Sequence, residues 1–265
     1  MKQFTTVARL LLCLALFSIS FQAQAVTKDG KAVVRAVRGT SAKYSSGGGV
    51  WVPLKVGTTL QPGSAIQTGA ETTVDLFLGQ NGPVVRVTPD TTLGFDKLAF
   101  SDTGADRVID TQLNLKSGRI LGNVKKLASA SRYEIKTPIG VAGIRGTDFD
   151  VTVTPLPGGK YNFVVTSISG TIVGAVVMQG TPYTAVINTG ETWNPLNPED
   201  QPVPMDKALL AALLEQMQEL MIIVREDGTV PPFHIIAPPI QGTSDDGAGT
   251  GTPGGGGTGP GGPPQ

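Results

Sequence analysis

From Val26 to about Glu199 the chain alternates short β-prone runs with clusters of Gly, Pro, Asn and Asp, and no helical period runs through it. Alternation is clearest in Val74-Asp75-Leu76-Phe77-Leu78 and in Val84-Val85-Arg86-Val87, where one strand face is buried and the other meets water. Strands are predicted near 32–38, 64–68, 72–78, 84–88, 91–98, 108–115, 119–124, 132–137, 148–154, 161–167, 171–178 and 183–188. Turn pairs such as Asn81-Gly82 join them. The pattern predicts an all-β fold, an antiparallel β-sandwich or β-roll of many short strands, with 45–49 as a mobile hairpin tip.

After the Pro-rich connector 194–204 the period changes. Leu209, Leu210, Leu213, Leu214, Met217, Leu220, Met221 and Val224 recur at helical spacings, with Asp206 as cap and Gly228 as stop. The apolar face so built must be covered. Either it packs on an open side of the β domain, or Leu210, Leu213, Leu214, Met217, Leu220 and Met221 meet a partner. A membrane-surface role fits poorly, because Lys207 is the only base before Arg225 while Glu215 and Glu219 sit on the polar side.

The two ends read differently from the body. Lys2 and Arg9 precede an apolar run from Leu10 to Phe21 that ends in Ala23-Gln24-Ala25, the pattern of a signal peptide cleaved after Ala25. The run is too short for a comfortable membrane span and no second candidate follows, so the mature chain is expected to lack a transmembrane segment and to be periplasmic or extracellular. The lone cysteine, Cys13, lies in this leader behind the bulky Leu12, which argues against lipid attachment. Its removal leaves no disulfide or thiol ligand. From about Gly242 onward only Gly, Pro, Thr, Ser and similar residues remain around Asp245-Asp246, so a disordered spacer is expected there. The predicted division is leader 1–25, β domain 26–199, connector and helix 200–228, and low-complexity tail 229–265.

Composition narrows the function classes. The chain is 40% hydrophobic and 16% charged with 21 basic and 21 acidic residues, and Lys and Arg are not concentrated as a nucleic-acid binder would have them. Loss of Lys2 and Arg9 makes the balance slightly acidic. A Ser-His-Asp device needs an imidazole, and the one histidine, His234, lies in Pro231-Pro232-Phe233-His234 beyond the β domain. No Cys–His cluster offers a zinc site, and 100–106 lacks the spacing of a calcium loop. Asp96, Asp102, Asp106 and Asp110 are near one another in sequence, the one place where paired carboxylates suggest hydrolysis. No phosphate-cradling glycine loop ends in Gly-Lys-Ser or Gly-Lys-Thr. No catalytic residue, cofactor or metal is therefore predicted. Among the aromatics, Trp193 is expected to plug one end of the core, and Trp51, beside Gly47–Gly49, is a candidate glycan contact.

Three blocks follow one another in a recognisable order. The first runs from Val56 through Pro62-Gly63-Ser64-Ala65-Ile66-Gln67-Thr68-Gly69 to Thr88-Pro89-Asp90-Thr91-Thr92-Leu93. The second is Leu115-Lys116-Ser117-Gly118-Arg119-Ile120, then Tyr133-Glu134-Ile135-Lys136-Thr137-Pro138-Ile139-Gly140 and Ile144-Arg145-Gly146-Thr147-Asp148-Phe149-Asp150-Val151. The third is Val164 to Val173, including Gly170, and Val186-Ile187-Asn188-Thr189-Gly190-Glu191. Together they resemble the FecR domain, the periplasmic part of iron-dicitrate-type signalling regulators, with Ser64 where that family usually has Asp. The resemblance covers about Ala32 to Trp193 and implies the domain's fold and an envelope location. Family regulators place an anti-sigma segment and a transmembrane helix before this domain; here a leader takes that place, so sigma-factor control is not expected.

Read physically, the motif is architectural. Gly140, Gly143 and Gly146 suit positive φ or close backbone approach, and Pro138 stiffens a turn. Arg145 is the one motif residue open to a recognition role, but Asp148 and Asp150 are near enough in sequence to offer it a charge-assisted structural pair, which is the role expected of it. The function expected is a non-catalytic binding or scaffolding module of the cell envelope that meets another protein or senses outside the cytoplasm. A glycan-binding or wall-associated protein is the alternative, and a hydrolase the remote one.

Overall fold

The computed structural model describes residues 26–102, 107–178, 180–196 and 201–225; the expected leader and low-complexity tail lie outside them. Within these residues the chain forms one continuous sheet of sixteen strands and one long helix. The strands are β1 (Thr27–Asp29), β2 (Ala32–Arg38), β3 (Ala42–Ser45), β4 (Val52–Pro53), β5 (Thr59–Leu60), β6 (Ala65–Thr68), β7 (Thr73–Phe77), β8 (Val84–Val87) and β9 (Thr92–Asp102). There follow β10 (Arg107–Asn123), β11 (Arg132–Lys136), β12 (Gly140–Leu156), β13 (Lys160–Met178), β14 (Thr181–Ile187), β15 (Glu191–Trp193), β16 (Val203–Pro204) and the helix α1 (Lys207–Arg225).

The all-β expectation holds, but several predicted short strands are halves of longer ones. β10 joins 108–115 to 119–124, and β13 joins 161–167 to 171–178. The glycines read as strand ends are bends instead. Gly118, Gly146 and Gly170 have φ of 92°, 66° and 82°, and the ladder slips beside them, between Leu115 and Ser117 on β10 and between Arg145 and Phe149 on β12. An extra residue in a bulge kinks a strand without ending it. The bends let each long strand serve two sets of neighbours. β10 pairs with β9 and β11 before Gly118, and with β8 and β12 from Gly118 onward. The sheet thus folds along a crease, and the inward faces of both halves share one core that includes Leu93, Leu113, Ile135, Phe149, Val151, Phe163 and Trp193.

The pairing is antiparallel, as expected, with one exception. β10 and β11 run parallel, Asp110 opposite Arg132 through Asn114 opposite Lys136. The link from Val124 to Ser131 lets the chain return in the same direction before β12 turns back beside β11.

The close approaches at the crease leave no room for side chains. A Cβ on Gly170 would lie 2.5 Å from the Gly146 carbonyl oxygen, and one on Gly118 would lie 2.5 Å from Thr91 Cα. Trp193 fills the core beneath Gly174, where a Cβ would meet its ring at 2.4 Å, and stands edge-on to Phe163 at 6.2 Å. This is the plug expected of it, at 1% exposure.

Candidate functional site

The motif residues are spread across the molecule rather than gathered at a site. Gly63 turns into β6 and its N–H donates to the Phe95 carbonyl (2.7 Å). Thr68 is buried; its hydroxyl donates to the Thr88 carbonyl (2.7 Å) and accepts from the Thr91 N–H (3.0 Å). Gly69 lies against Ser41. The Thr137 hydroxyl accepts from the Gly140 N–H (3.0 Å) and so closes the turn through Pro138. Thr147 is buried, donates to the Thr171 carbonyl (3.1 Å) and exchanges two backbone bonds with Val124. Phe149 is in the core. Gly190 and Glu191 close the last turn: the Gly190 N–H donates to the Ser167 carbonyl, and the Glu191 carboxylate accepts the Asn188 N–H (2.7 Å).

Arg145 does not make the pair expected of it. It is exposed opposite Thr171, while Asp150 takes Arg119 (Nε to Oδ2, 2.7 Å) and Asp148 accepts from Asn123 and from the Ser169 hydroxyl (2.7 Å). The bulge at Gly146 shifts the register between Arg145 and both carboxylates, which nearness in sequence does not reveal. Burial raises the Asp150 pKa despite Arg119 and a hydrogen bond from Thr152.

The helix covers part of the sheet. Asp206 caps it, accepting the Ala208 and Leu209 N–H groups at 2.9 and 3.1 Å. Leu213, Met217 and Leu220 are buried against Val84, Leu121 and Ile168, with Leu210 and Met221 at the margins and Leu214 exposed. Most of the face considered for a partner is therefore occupied by the chain's own sheet. An ionic network clamps this seam. Asp75, buried on β7, accepts from Arg86 Nε (2.7 Å) and from Arg38 (2.9 Å), and Arg86 in turn donates to Glu219 of α1 (2.8 Å). Burial opposes the Arg86 charge, but Asp75 and Glu219 more than offset it and its pKa is raised; the same contact with Arg86 lowers that of Glu219.

Two exposed surfaces stand out. One is the outer face of the β13–β14 hairpin at the margin of the sheet, where Val173, Val177 and Val186 are 47%, 61% and 55% exposed and Val173 lies opposite Val186. β14 pairs only with β13 among the described residues, and no charged residue lies in 171–178 or 181–187. Sequence reading missed this face, although the run Ile172-Val173-Gly174-Ala175-Val176-Val177 is apolar at both parities, a sign that both faces of the strand are apolar. The other surface is an open cleft of about 620 Å³ between the β3–β4 hairpin and the Thr88–Asp90 turn, lined by Lys43, Trp51, Gln67 and Asp90 among others. Trp51 is 40% exposed, with Lys43 Nζ 5.7 Å from its ring centre. The hairpin tip beside it is tied down by the Ser45 hydroxyl, which donates to the Gly49 carbonyl (2.7 Å), and by the Gly47 N–H, which donates to the Gly63 carbonyl.

The carboxylates considered for hydrolysis do not converge. Asp102 pairs with Arg107, Asp110 with Lys97, and Asp96 accepts from Asn114 and lies 3.8 Å from Lys136. Asp106 and His234 lie outside the described residues. Among the described residues no group of three His, Cys, Asp or Glu could hold a metal ion, and no helix is long and apolar enough to cross a membrane.

The described residues form an open, creased β-roll whose two notable exposed surfaces lie on strands. Residues 64–172 match the family described as FecR protein, so that segment is similar to a FecR domain. Among curated proteins none matches the chain. Two crystal structures of a candidate anti-sigma factor from Parabacteroides distasonis ATCC 8503 are similar in fold at a TM-score of 0.41 and 15% identity, over 57% of this chain and 63% or 64% of that one. The chain thus spans less than two thirds of that protein's length.

Proposed function

We propose that this chain is a non-catalytic interaction module of the cell envelope whose FecR domain docks another protein through the outer face of the β13–β14 hairpin. The observation that carries the reading is the exposed valine face at the sheet margin. Apolar area of this kind, uncharged and continuous across two strands, is what a protein interface removes from water. Envelope location rests on the leader-like segment 1–25 and on the family match, and sensing outside the cytoplasm is the role in keeping with both.

The test is in-cell photo-cross-linking from position 177, with Val173→Lys and Val186→Lys as competitors. A defined envelope protein captured by the parent chain and lost from both lysine variants is the expected result. Capture that persists in both variants removes the contact from this face. Fractionation with the cytoplasm would overturn the envelope reading.

A further inference from the structure

The cleft beside Trp51 is separate from the β13–β14 face, and its chemistry differs. Its floor is built by register. Pro53, Lys43, Gln67 and Thr92 stand opposite one another on β4, β3, β6 and β9, so their side chains form one row on the outward side of the sheet. Gln67 Nε2 donates to Thr92 Oγ1 at 3.3 Å, which orients the amide. Trp51 stands beside this row with Lys43 near its ring, and the Asp90 turn closes the far side.

The backbone fixes that far side. Glu71 and Asp90, the two non-glycine residues with positive φ among those described, have φ of 57° and 52°. Both adjoin Gly69: its carbonyl accepts the Asp90 N–H at 3.3 Å and the Thr72 N–H at 3.2 Å, and its own N–H donates to the Ser41 carbonyl at 2.7 Å. Gly69 has no room for a side chain, since a Cβ there would lie 2.8 Å from Ser41 Cβ. Unfavourable backbone conformations held by a hydrogen-bonded frame concentrate where a surface must be presented in one geometry. Here the frame fixes the position of the Asp90 backbone at the cleft wall.

We infer that this cleft is a binding subsite for a neutral hexopyranose of an envelope glycan. A pyranose presents an apolar C–H face, which an exposed indole accepts, and a rim of hydroxyls that need donors and acceptors together. Trp51 supplies the first. Lys43 donates, Asp90 accepts, and Gln67, Thr40 and Ser41 do both. The single cation and single carboxylate balance, so the site does not select a charged ligand. A volume of about 620 Å³ lies within the range of small-molecule sites, roughly 300–1,000 Å³.

The chain provides its own reporter. Of its two tryptophans Trp193 is buried in the core, so a ligand-induced change in indole emission reports Trp51. The full chain is titrated with chitotetraose and, separately, with cellotetraose, in parallel with amide NMR. The expected result is a saturable emission change with at least one of them, with shifts at Lys43, Gln67 and Asp90. Trp51→Ala removes the binding, and Asp90→Gly, which suits the positive φ while deleting the carboxylate, weakens it about tenfold. Absence of saturable change with either oligosaccharide up to about 10 mM, by both readouts, overturns the inference. Shifts confined to other surfaces overturn it as well. Val186→Lys leaves the titration unchanged, so failure of the glycan subsite and failure of the protein-docking face are read separately.

Discussion

The crease through Gly118, Gly146 and Gly170 and the seam between α1 and the sheet both combine apolar packing with an arginine–carboxylate pair, yet they are held in different ways. At the crease the decisive atoms are backbone, and the pair Arg119–Asp150 adds a buried carboxylate whose charge burial disfavours. At the seam the decisive atoms are side chains in a smaller cluster of their own, and Glu219 remains half in water. A region fixed by backbone contact tolerates no enlargement. One fixed by side-chain packing loosens in steps.

The largest expected effect is at the crease. Gly170→Val places branched carbons against the Gly146 carbonyl in a φ region closed to valine, and a loss of about 4 kcal/mol or more in urea unfolding, or no folded protein, is expected. An effect below about 1 kcal/mol would mean that the bend is not strained.

Next is the base of the seam. Asp75→Asn leaves Arg86 buried beside an uncharged partner, with an expected loss of about 3 kcal/mol. Leu220→Ala removes the innermost helix anchor and is expected to cost about 2–3 kcal/mol. Its signature is local: amide exchange accelerates across Lys207–Arg225 while the β10–β12 ladder stays protected. Uniform acceleration would show that the helix and sheet open as one unit.

The smallest effects separate the two regions by pH. The Glu219 pKa is lowered in the folded chain, so its stabilisation is present above its ordinary value of 4.5 and fades as pH falls through the lower, folded value. The Asp150 pKa is raised, so its contribution in favour of folding is present below its ordinary value of 3.8 and is lost as pH rises through the folded value. Acid should therefore loosen the seam while leaving the crease unharmed by this term. Glu219→Gln should remove that acid sensitivity of helix exchange at a cost below about 1 kcal/mol at neutral pH; unaltered acid sensitivity would assign it to other carboxylates.

How much of this was written in the sequence differs between the regions. The alternation about Val74–Leu78 and the spacing Leu213, Met217, Leu220 are local signals and both elements formed, but the strand face expected to meet water carries the buried Asp75, Val84 and Arg86, because α1 lies over it. The crease was misread because glycine at positive φ looks the same whether it ends a strand or bends one, and only the partner strands decide. Arg119 rather than Arg145 found Asp150 for a similar reason: the pair is made across β10 and β12, and a one-residue bulge chooses between the candidates. Trp51 was singled out by its neighbouring glycines, but Lys43, Gln67 and Asp90 line the same cleft from different strands and one turn. The valine face went unnoticed because its residues, taken singly, resemble core.

The double duty of β10 has a bearing on how the chain acquires its shape. Its partners β8, β9, β11 and β12 span residues 84 to 156, and β1, β2 and β3 pair with β9, β7 and β6. The segment that matches the family, 64–172, stops within β13 and leaves β2, β14 and β15 outside. Neither half of the sheet can complete its ladders until residues far apart along the chain have met, and this non-local pairing is expected to slow folding.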